Sequence, residues 1–428
     1  MTTTTTGSGL QLRKGELFRM IGYEPHPGQL EIHKSPAPRR IVACGVRWGK
    51  TRCAAMEGIA AAMQPAQRSI GWVVGPTYDL ADRVFREIQV VALEHLRHRI
   101  ESIRESERRI FLRNLGNGVS EIRAKSADNM VSLLGEGLDW LIVDEASRMK
   151  PVIWQSHLSQ RLIDKQGWAL LISTPKGKGY FYDLFQRAKQ GDPGYASWNM
   201  PSWTNPLLDA SVIEEERGRL PERVFRQEYA AEFIEGAGAV FGSVRECATG
   251  NWKEPEHGQR YWAGLDLARI GDYTVLVILD KDRNVVFVDR FHRLDWDTQV
   301  ARIEGQVRRY NRAELWVDVT GVGDPIHEAL CRAGLYVRPY PFTAKSKSAL
   351  INALVLTMEQ RLLVLPRPQL WPVGIAELEA YEYSVSEQGN IRMSAPGNGH
   401  DDCVMALALG LWDLRPSKAQ YPLIIESI

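Results

Sequence analysis

Ile41-Val42-Ala43-Cys44-Gly45-Val46-Arg47-Trp48-Gly49-Lys50-Thr51 is a short apolar run that breaks at a glycine and continues into the helix-compatible stretch Thr51–Met63. A buried strand, a tight turn and a helix start, in that order, aim backbone N–H groups and the helix dipole at one point, which suits a phosphate. Lys50 stands where an ammonium reaches β/γ-phosphates, and Thr51 where a hydroxyl holds Mg²⁺. Cys44 occupies a position that a standard phosphate loop gives to glycine, so a chance Gly-Lys-Thr at a helix start competes with this reading.

A second stretch answers that competition. Leu141-Ile142-Val143-Asp144-Glu145 is an apolar strand ending in two carboxylates. Beside a phosphate loop, Asp144 serves the Mg²⁺ shell and Glu145 polarises the attacking water. Ser173-Thr174-Pro175 closes a further apolar strand, Ala169–Ile172. Gln29, in Pro25-His26-Pro27-Gly28-Gln29, is a candidate to read an adenine edge, against an exposed loop glutamine. Arg47 is a candidate neighbour of the γ-phosphate, against a surface arginine.

Around these runs the first half alternates strands and helices: Ile70–Val74, a long amphipathic helix over Asp79–Ile103, then short strands at Arg109–Arg113 and Glu121–Ala124. That order predicts an α/β fold with a mostly parallel sheet covered on both faces. After Glu232-Phe233 the texture turns Gly-, Pro- and polar-rich. The second half opens with strands Tyr261–Leu267, Thr274–Leu279 and Val285–Phe291, followed by helix Trp296–Tyr310, strand Leu315–Val319 and a last helix, Asp401–Trp412. Three strands before alternating units is the order of a ribonuclease-H-like fold. A hairpin is expected across Tyr383–Pro396, turning at Glu387-Gln388-Gly389-Asn390.

Carboxylates mark the second half. Asp266 falls mid-way along its apolar strand, where a charge is costly unless paired or bound to metal. Asp318 ends another strand, and Asp401 and Asp402 open the last helix after Gly397-Asn398-Gly399-His400. Carboxylates from two strands and a helix can hold two divalent ions for in-line attack of water on a phosphodiester, with Asp272 supporting the second ion. Helix capping competes for Asp401 and Asp402, and a turn role for Asp318. Lys345 and Lys347 are candidate phosphate contacts, against solvated loop lysines.

Composition narrows the field. The chain has 428 residues with 53 Lys+Arg against 52 Asp+Glu, which disfavours a uniformly basic nucleic-acid coat. Up to Glu254 the count is 34 basic against 30 acidic residues, and from Pro255 to Arg415 it is 18 against 21. Five scattered cysteines without a Cys-x-x-Cys pair argue against a disulfide scaffold or a zinc ribbon. No apolar run reaches the length of a membrane span.

The ordered set resembles the large terminase subunit of tailed bacteriophages. It comprises Gly45–Thr51 with its internal arginine, Leu141–Ser147, Ile172–Gly177, Arg226–Phe233, Gly264–Ala268, Val317–Asp324 and Gly399–Asp402. The resemblance implies a P-loop ATPase of the ASCE type with a parallel sheet, then a ribonuclease-H-like nuclease of the RuvC/integrase type. The Thr-rich start reads as a disordered lead over 1–10 and the Gly- and Pro-rich texture as a linker over 236–255, between an ATPase domain over 11–235 and a nuclease domain over 256–414, with a tail over 415–428. Gln29, Gly45, Arg47, Gly49, Lys50, Thr51, Asp144 and Thr174 would hold ATP and Mg²⁺, Thr174 belonging to the motif that relays hydrolysis to motion. Glu145 would be catalytic in hydrolysis. Asp266, Asp318 and Asp401 would be catalytic in cleavage, on two Mg²⁺ or Mn²⁺ bound with Asp402 and Asp272. Implied partners are double-stranded DNA, a portal and procapsid, the small terminase subunit and further copies in a pentameric ring, in the host cytoplasm and without a membrane. Leu134 stands where relatives often carry an arginine finger, leaving Arg47, Arg123, Arg148 and Arg161 as sources. A helicase-like or DNA-repair ATPase with a fused nuclease is the alternative, but only one motor core is visible.

Overall fold

The computed structural model describes residues 13–234, 238–267, 273–318, 323–385, 391–397 and 399–416. Contacts divide the chain into two compact units, one built from residues up to Glu216 with Arg223–Glu235, the other from Arg217–Glu222 and from Gly236 onward. The expected lead over 1–10 lies outside the described residues.

In the first unit, α1 (Lys14–Met20) and α2 (Pro27–Lys34) precede β1 (Arg39–Cys44), α3 (Lys50–Ala62), β2 (Arg68–Gly75) and α4 (Tyr78–His95). Then come β3 (Ile100–Arg104), β4 (Arg109–Arg113), β5 (Val119–Ser126), β6 (Trp140–Asp144), β7 (Trp168–Ser173), α5 (Tyr180–Lys189) and β8 (Tyr195–Met200). The sheet order is β3-β4-β5-β2-β6-β7-β1-β8. From β5 across to β8 the neighbouring strands run parallel, with Val143 opposite Leu171 and Val42 opposite Ile172. This register brings the ends of β1, β6 and β7 to one edge, where the phosphate loop and Asp144 leave the sheet. Ala54, Ile59, Val84 and Ile88 pack on one face and Leu158, Phe181 and Phe185 on the other. Burial on both faces explains why these strands read as unbroken apolar runs.

One expectation fails here. The helix predicted over Asp79–Ile103 stops at His95, and Ile100–Arg104 forms an edge strand antiparallel to β4. Ile100 and Ile103 find cross-strand partners in Leu112 and Ile110, a pairing that local helix propensity does not reveal.

After α6 (Ala210–Arg219) and α7 (Glu222–Glu228), the second unit contains β9 (Gly238–Ala239), α8 (Val244–Cys247), β10 (Tyr261–Asp266), β11 (Thr274–Asp280), β12 (Val285–Phe291) and α9 (Trp296–Arg309). It continues with β13 (Glu314–Asp318), α10 (Gly323–Arg332), β14 (Val337–Tyr340), α11 (Ala344–Glu359), α12 (Pro372–Ala380), β15 (Glu382–Val385), β16 (Ile391–Ser394) and α13 (Asp402–Leu411). The main sheet, β12-β11-β10-β13-β14, is antiparallel through β12-β11-β10 and parallel from β10 to β14. The expected hairpin is present as β15 antiparallel to β16, while its turn residues lie outside the described residues. Helix α13 lies almost against β10: a Cβ on Gly264 would sit 2.0 Å from the Ala406 carbonyl oxygen. That approach, open to glycine alone, brings the start of α13 towards the end of β10.

Candidate functional sites

The loop between β1 and α3 is held by its carbonyls. Val46 O accepts from Ser202 Oγ at 2.6 Å, Arg47 O from Asn205 Nδ2 at 3.0 Å and Gly49 O from Gln29 Nε2 at 3.1 Å. Trp48 O lies 3.1 Å from His26 Nε2, which must donate because a carbonyl only accepts. Four consecutive carbonyls are thus drawn outward by side chains, and the first-turn N–H groups of α3, which have no intrahelical acceptor, face the opposite way. Gly49 makes this turn with φ +98°, a region that disfavours any other residue. Ser202, Asn205 and His26 carry no motif signal in the sequence; their role follows from the fold alone.

Gln29, expected at an adenine edge, also holds the loop. It is buried, its Oε1 accepts from the Tyr23 hydroxyl at 3.0 Å and from His26 N at 3.2 Å, and its Nε2 holds Gly49. Its oxygen is filled by two donors, and one of its two amide hydrogens is given to Gly49 O. Arg47 is exposed, with φ +59°. Thr51 lies in the first turn of α3, partly buried.

Lys50 is the centre of the site. Its Nζ lies 2.9 Å from Glu145 Oε1 and donates to Thr174 Oγ1 at 3.2 Å, joining α3 to the ends of β6 and β7. Burial pulls the Lys50 ammonium down, but Glu145 and Asp144 outweigh it and raise it. Burial likewise favours neutral Glu145, and Lys50 and Arg148 outweigh it in the other direction. Asp144 is pushed up to about 7, by burial first and Glu145 second, leaving a carboxyl whose ionisation a cation would restore. Glu145 takes φ +50°, a strained turn directly after β6. Ser147 Oγ lies 2.8 Å from Ser173 Oγ and donates to Thr174 O at 2.7 Å, tying the Glu145 turn to the Thr174 segment. Among the finger candidates, Arg123 is engaged with Glu121 and Glu136, and Arg161 with Gly135 O. Arg148 Nε lies 3.6 Å from Glu145 Oε2, within the site.

In the second unit Asp266 ends β10 rather than sitting mid-strand: the β10–β11 ladder closes on Asp266 opposite Val275. Leu265 is level with Val317, so Asp266 and Asp318 leave adjacent parallel strands side by side. Asp401 is the N-cap residue of α13 but makes no side-chain capping bond; its Oδ2 accepts from Lys347 Nζ at 3.0 Å. The capping reading therefore fails for Asp401. Burial, then Asp402, Asp401 and Asp318, drive Asp266 well above the carboxylate range, which places all four in one electrostatic neighbourhood. Asp272 lies outside the described residues. Among the described residues no three His, Cys, Asp or Glu side chains are arranged to hold one ion as they stand. The donor set suits a hard divalent cation, whose arrival would relieve the mutual repulsion.

Two residues here act in ways the sequence does not announce. Glu377 Oε2 accepts from Cys403 N at 2.8 Å and so holds the first turn of α13. Lys347, a candidate phosphate contact weighed against a solvated loop lysine, stands in the first turn of α11, which Thr343 and Ser346 cap reciprocally, and faces Asp401. Lys345 is exposed.

Comparisons with known proteins give one family model for each half of the chain. The family model described as terminase large subunit, T4likevirus-type, N-terminal, matches residues 41–245, and the terminase RNaseH-like domain matches residues 263–413. The terminase large subunit of Thermus virus P23-45 is 32% identical, over 96% of this chain and 95% of its own. The large terminase nuclease of phage G20c, solved with bound magnesium, is 30% identical over 40% of this chain and 95% of its own, with a TM-score of 0.38. The large terminase of another thermophilic bacteriophage shares the fold over 92% of this chain and 100% of its own, with a TM-score of 0.55 at 12% identity.

Proposed function

We propose that this chain, which belongs to the phage terminase large-subunit family, drives double-stranded viral DNA into a procapsid by hydrolysing ATP and cuts concatemeric DNA at the start and end of packaging. It is an ATPase and a metal-dependent nuclease of DNA packaging. The observation that carries the motor reading is Lys50 held between Glu145 and Thr174 at the mouth of a phosphate loop.

In hydrolysis, the phosphates of ATP would seat on the first-turn N–H groups of α3 and draw Lys50 from Glu145. That exchange frees the Glu145 carboxylate to accept a proton from the attacking water, while Lys50 neutralises charge on the transferred group. Thr51 Oγ1 and Asp144 would hold Mg²⁺, which supplies charge neutralisation between the phosphates. Thr174 loses the Lys50 ammonium in the same movement, so the β7 end senses occupancy of the loop. Arg148 is the finger candidate that already borders the site in cis.

In cleavage, Asp266, Asp318, Asp401 and Asp402 would hold Mg²⁺ or Mn²⁺, with Asp272 as a further ligand. The ions would activate water and stabilise the leaving oxygen. Asp401 must give up Lys347 to serve, and the released ammonium is then placed to meet a DNA phosphate.

The partners that follow are a portal-bearing procapsid, the small terminase subunit and further copies of this chain in a pentameric ring, all in the host cytoplasm. No helix among the described residues is long and apolar enough to cross a membrane. The test is packaging: purified chain, procapsids and ATP should render linear double-stranded DNA resistant to added nuclease. ATP turnover that is indifferent to procapsids, with no protected DNA, would sink the proposal.

A further inference from the structure

Behind the phosphate loop lies a buried polar chain that the hydrolysis chemistry does not use. Gln29, His33, Tyr23, Arg40 and Glu57 are each 5% exposed or less. Glu57 Oε1 is 2.7 Å from His33 Nδ1, its Oε2 is 2.6 Å from Arg40 Nη1, and Lys14 Nζ is 2.8 Å from Oε1. His33 Nε2 is 3.0 Å from the Tyr23 hydroxyl, which reaches Gln29 Oε1 at 3.0 Å, and Gln29 Nε2 reaches Gly49 O. Polar links thus run from the middle of α3, through α2, back to the residue before Lys50.

Counting protons along this chain gives it a direction. Glu57, between Arg40 and Lys14, is ionised, so His33 Nδ1 carries a proton and donates to it. His26 N–H and the Gly49 carbonyl fix the Gln29 amide, oxygen towards His26 and Tyr23, nitrogen towards Gly49. The Tyr23 hydroxyl has one proton and two neighbours. If His33 Nε2 is also protonated, it donates to the Tyr23 oxygen, and the Tyr23 proton goes to Gln29. If Nε2 is bare, it competes with Gln29 for that one proton. The Cys53 thiol, 4.0 Å from Nε2, is too distant to supply a full substitute.

We propose that Tyr23 and His33 are positioning residues of the nucleotide site, acting through Gln29: the Tyr23 hydroxyl locks the amide that holds Gly49, and protonation of His33 completes the lock. The proposal rests on Lys50 binding the phosphates of a nucleotide. Its ligand is the phosphate chain itself, so the lock is indifferent to the base. The groups facing His33 are Glu57 and Cys53 from α3, Lys14 from α1, Arg40 from β1 and Tyr23, with Arg52 over the Tyr23 ring and His26 nearby. Burial lowers His33 and Glu57 only partly restores it, so the second proton arrives on the acid side of 6.5.

The test measures binding of ATP, GTP and inorganic tripolyphosphate, with Mg²⁺, to the full chain and its variants. Tyr23→Phe keeps the ring contacts with Phe18 and His33 and removes only the hydroxyl. It should weaken all three ligands by the same factor, about 3- to 10-fold. Gln29→Glu, which sets an acceptor against the Gly49 carbonyl, should weaken all three further, by about 10- to 100-fold. The ratio of wild-type to Tyr23→Phe affinity, in which titrations common to both proteins cancel, should grow from about pH 8 to about pH 5.5. Wild-type affinity in Tyr23→Phe, or a Gln29→Glu loss confined to ATP, overturns the lock; the second outcome returns Gln29 to adenine reading. A ratio that does not change with pH overturns the part assigned to His33. Lys50→Ala separates this from the underlying reading: if it binds tripolyphosphate like wild type, the phosphate site itself is misplaced.

Discussion

At the nucleotide site Glu145 is paired with Lys50 and Arg148, and behind the loop Glu57 with Arg40, Lys14 and His33, while the Asp144 carboxyl is pushed up to about 7 by burial and by Glu145. In the second unit Asp266, Asp318, Asp401 and Asp402 crowd together, with Lys347 paired to Asp401. At the first site ATP must exchange with the Lys50–Glu145 pair already made, and Asp144 gains its charge with the cation. At the second, burial and three carboxylates drive Asp266 upward, a repulsion that a divalent cation would relieve. Net charges of the two halves, slightly basic and slightly acidic, follow the same division.

The largest effect that would break this comparison is in the crowded site. Asp266→Ala should abolish cleavage of supercoiled plasmid in Mg²⁺ or Mn²⁺ and remove most of the thermal stabilisation that Mn²⁺ confers, since linkage requires a ligand that prefers the folded state. Cleavage by this variant at wild-type rate would remove the carboxylates from the reaction.

Next is the matched network. Glu57→Gln strands Arg40 and Lys14 beside a neutral group and should cost about 3–5 kcal/mol in urea unfolding near neutral pH. Burial opposes ionisation of Glu57, but Arg40, His33 and Lys14 outweigh it and hold the carboxyl at about 2, against 4.5. A depressed carboxyl stabilises the fold above its unfolded value, and that contribution is lost as pH falls through its folded value. Wild-type stability should therefore drop between about pH 4.5 and pH 2 more steeply than that of Glu57→Gln; parallel curves would deny Glu57 this role.

The smallest effect sharpens the boundary between the two regimes. Lys347→Ala removes the ammonium that competes for Asp401, and calorimetry should show Mn²⁺ binding tightened by about 3- to 10-fold. Weaker Mn²⁺ binding would mean that Lys347 orders Asp401 rather than competes for it.

Much of the fold was legible in the sequence because burial on both faces writes itself as unbroken apolar runs, as in Leu141–Val143 and Ala169–Ile172. The β3 edge strand was not, since Ile100 and Ile103 acquire strand character from Leu112 and Ile110 across the ladder. At the sites, Lys50, Asp144, Glu145, Asp318, Asp401 and Asp402 announce themselves by residue type at a strand or helix end, and Asp266 as a charge within an apolar run, though its place at the strand's end was not legible. Ser202, Asn205, His26 and Glu377 do not, because each acts through one hydrogen bond to a distant backbone group. Gln29 was visible as a residue of interest, but its hold on the loop was not: only the positions of Tyr23, His26 and Gly49 show where its amide points.

The central claim is that one chain carries two chemically separable sites, one centred on Lys50 and Glu145 for ATP and one on Asp266 and its neighbouring carboxylates for DNA cleavage. It is tested most directly by assaying ATP turnover and Mn²⁺-dependent plasmid cleavage on the same preparations of wild type, Lys50→Ala and Asp266→Ala. Lys50→Ala should lose turnover by about 10³-fold or more and keep cleavage, while Asp266→Ala should do the reverse. Loss of both activities in either folded variant would contradict the account.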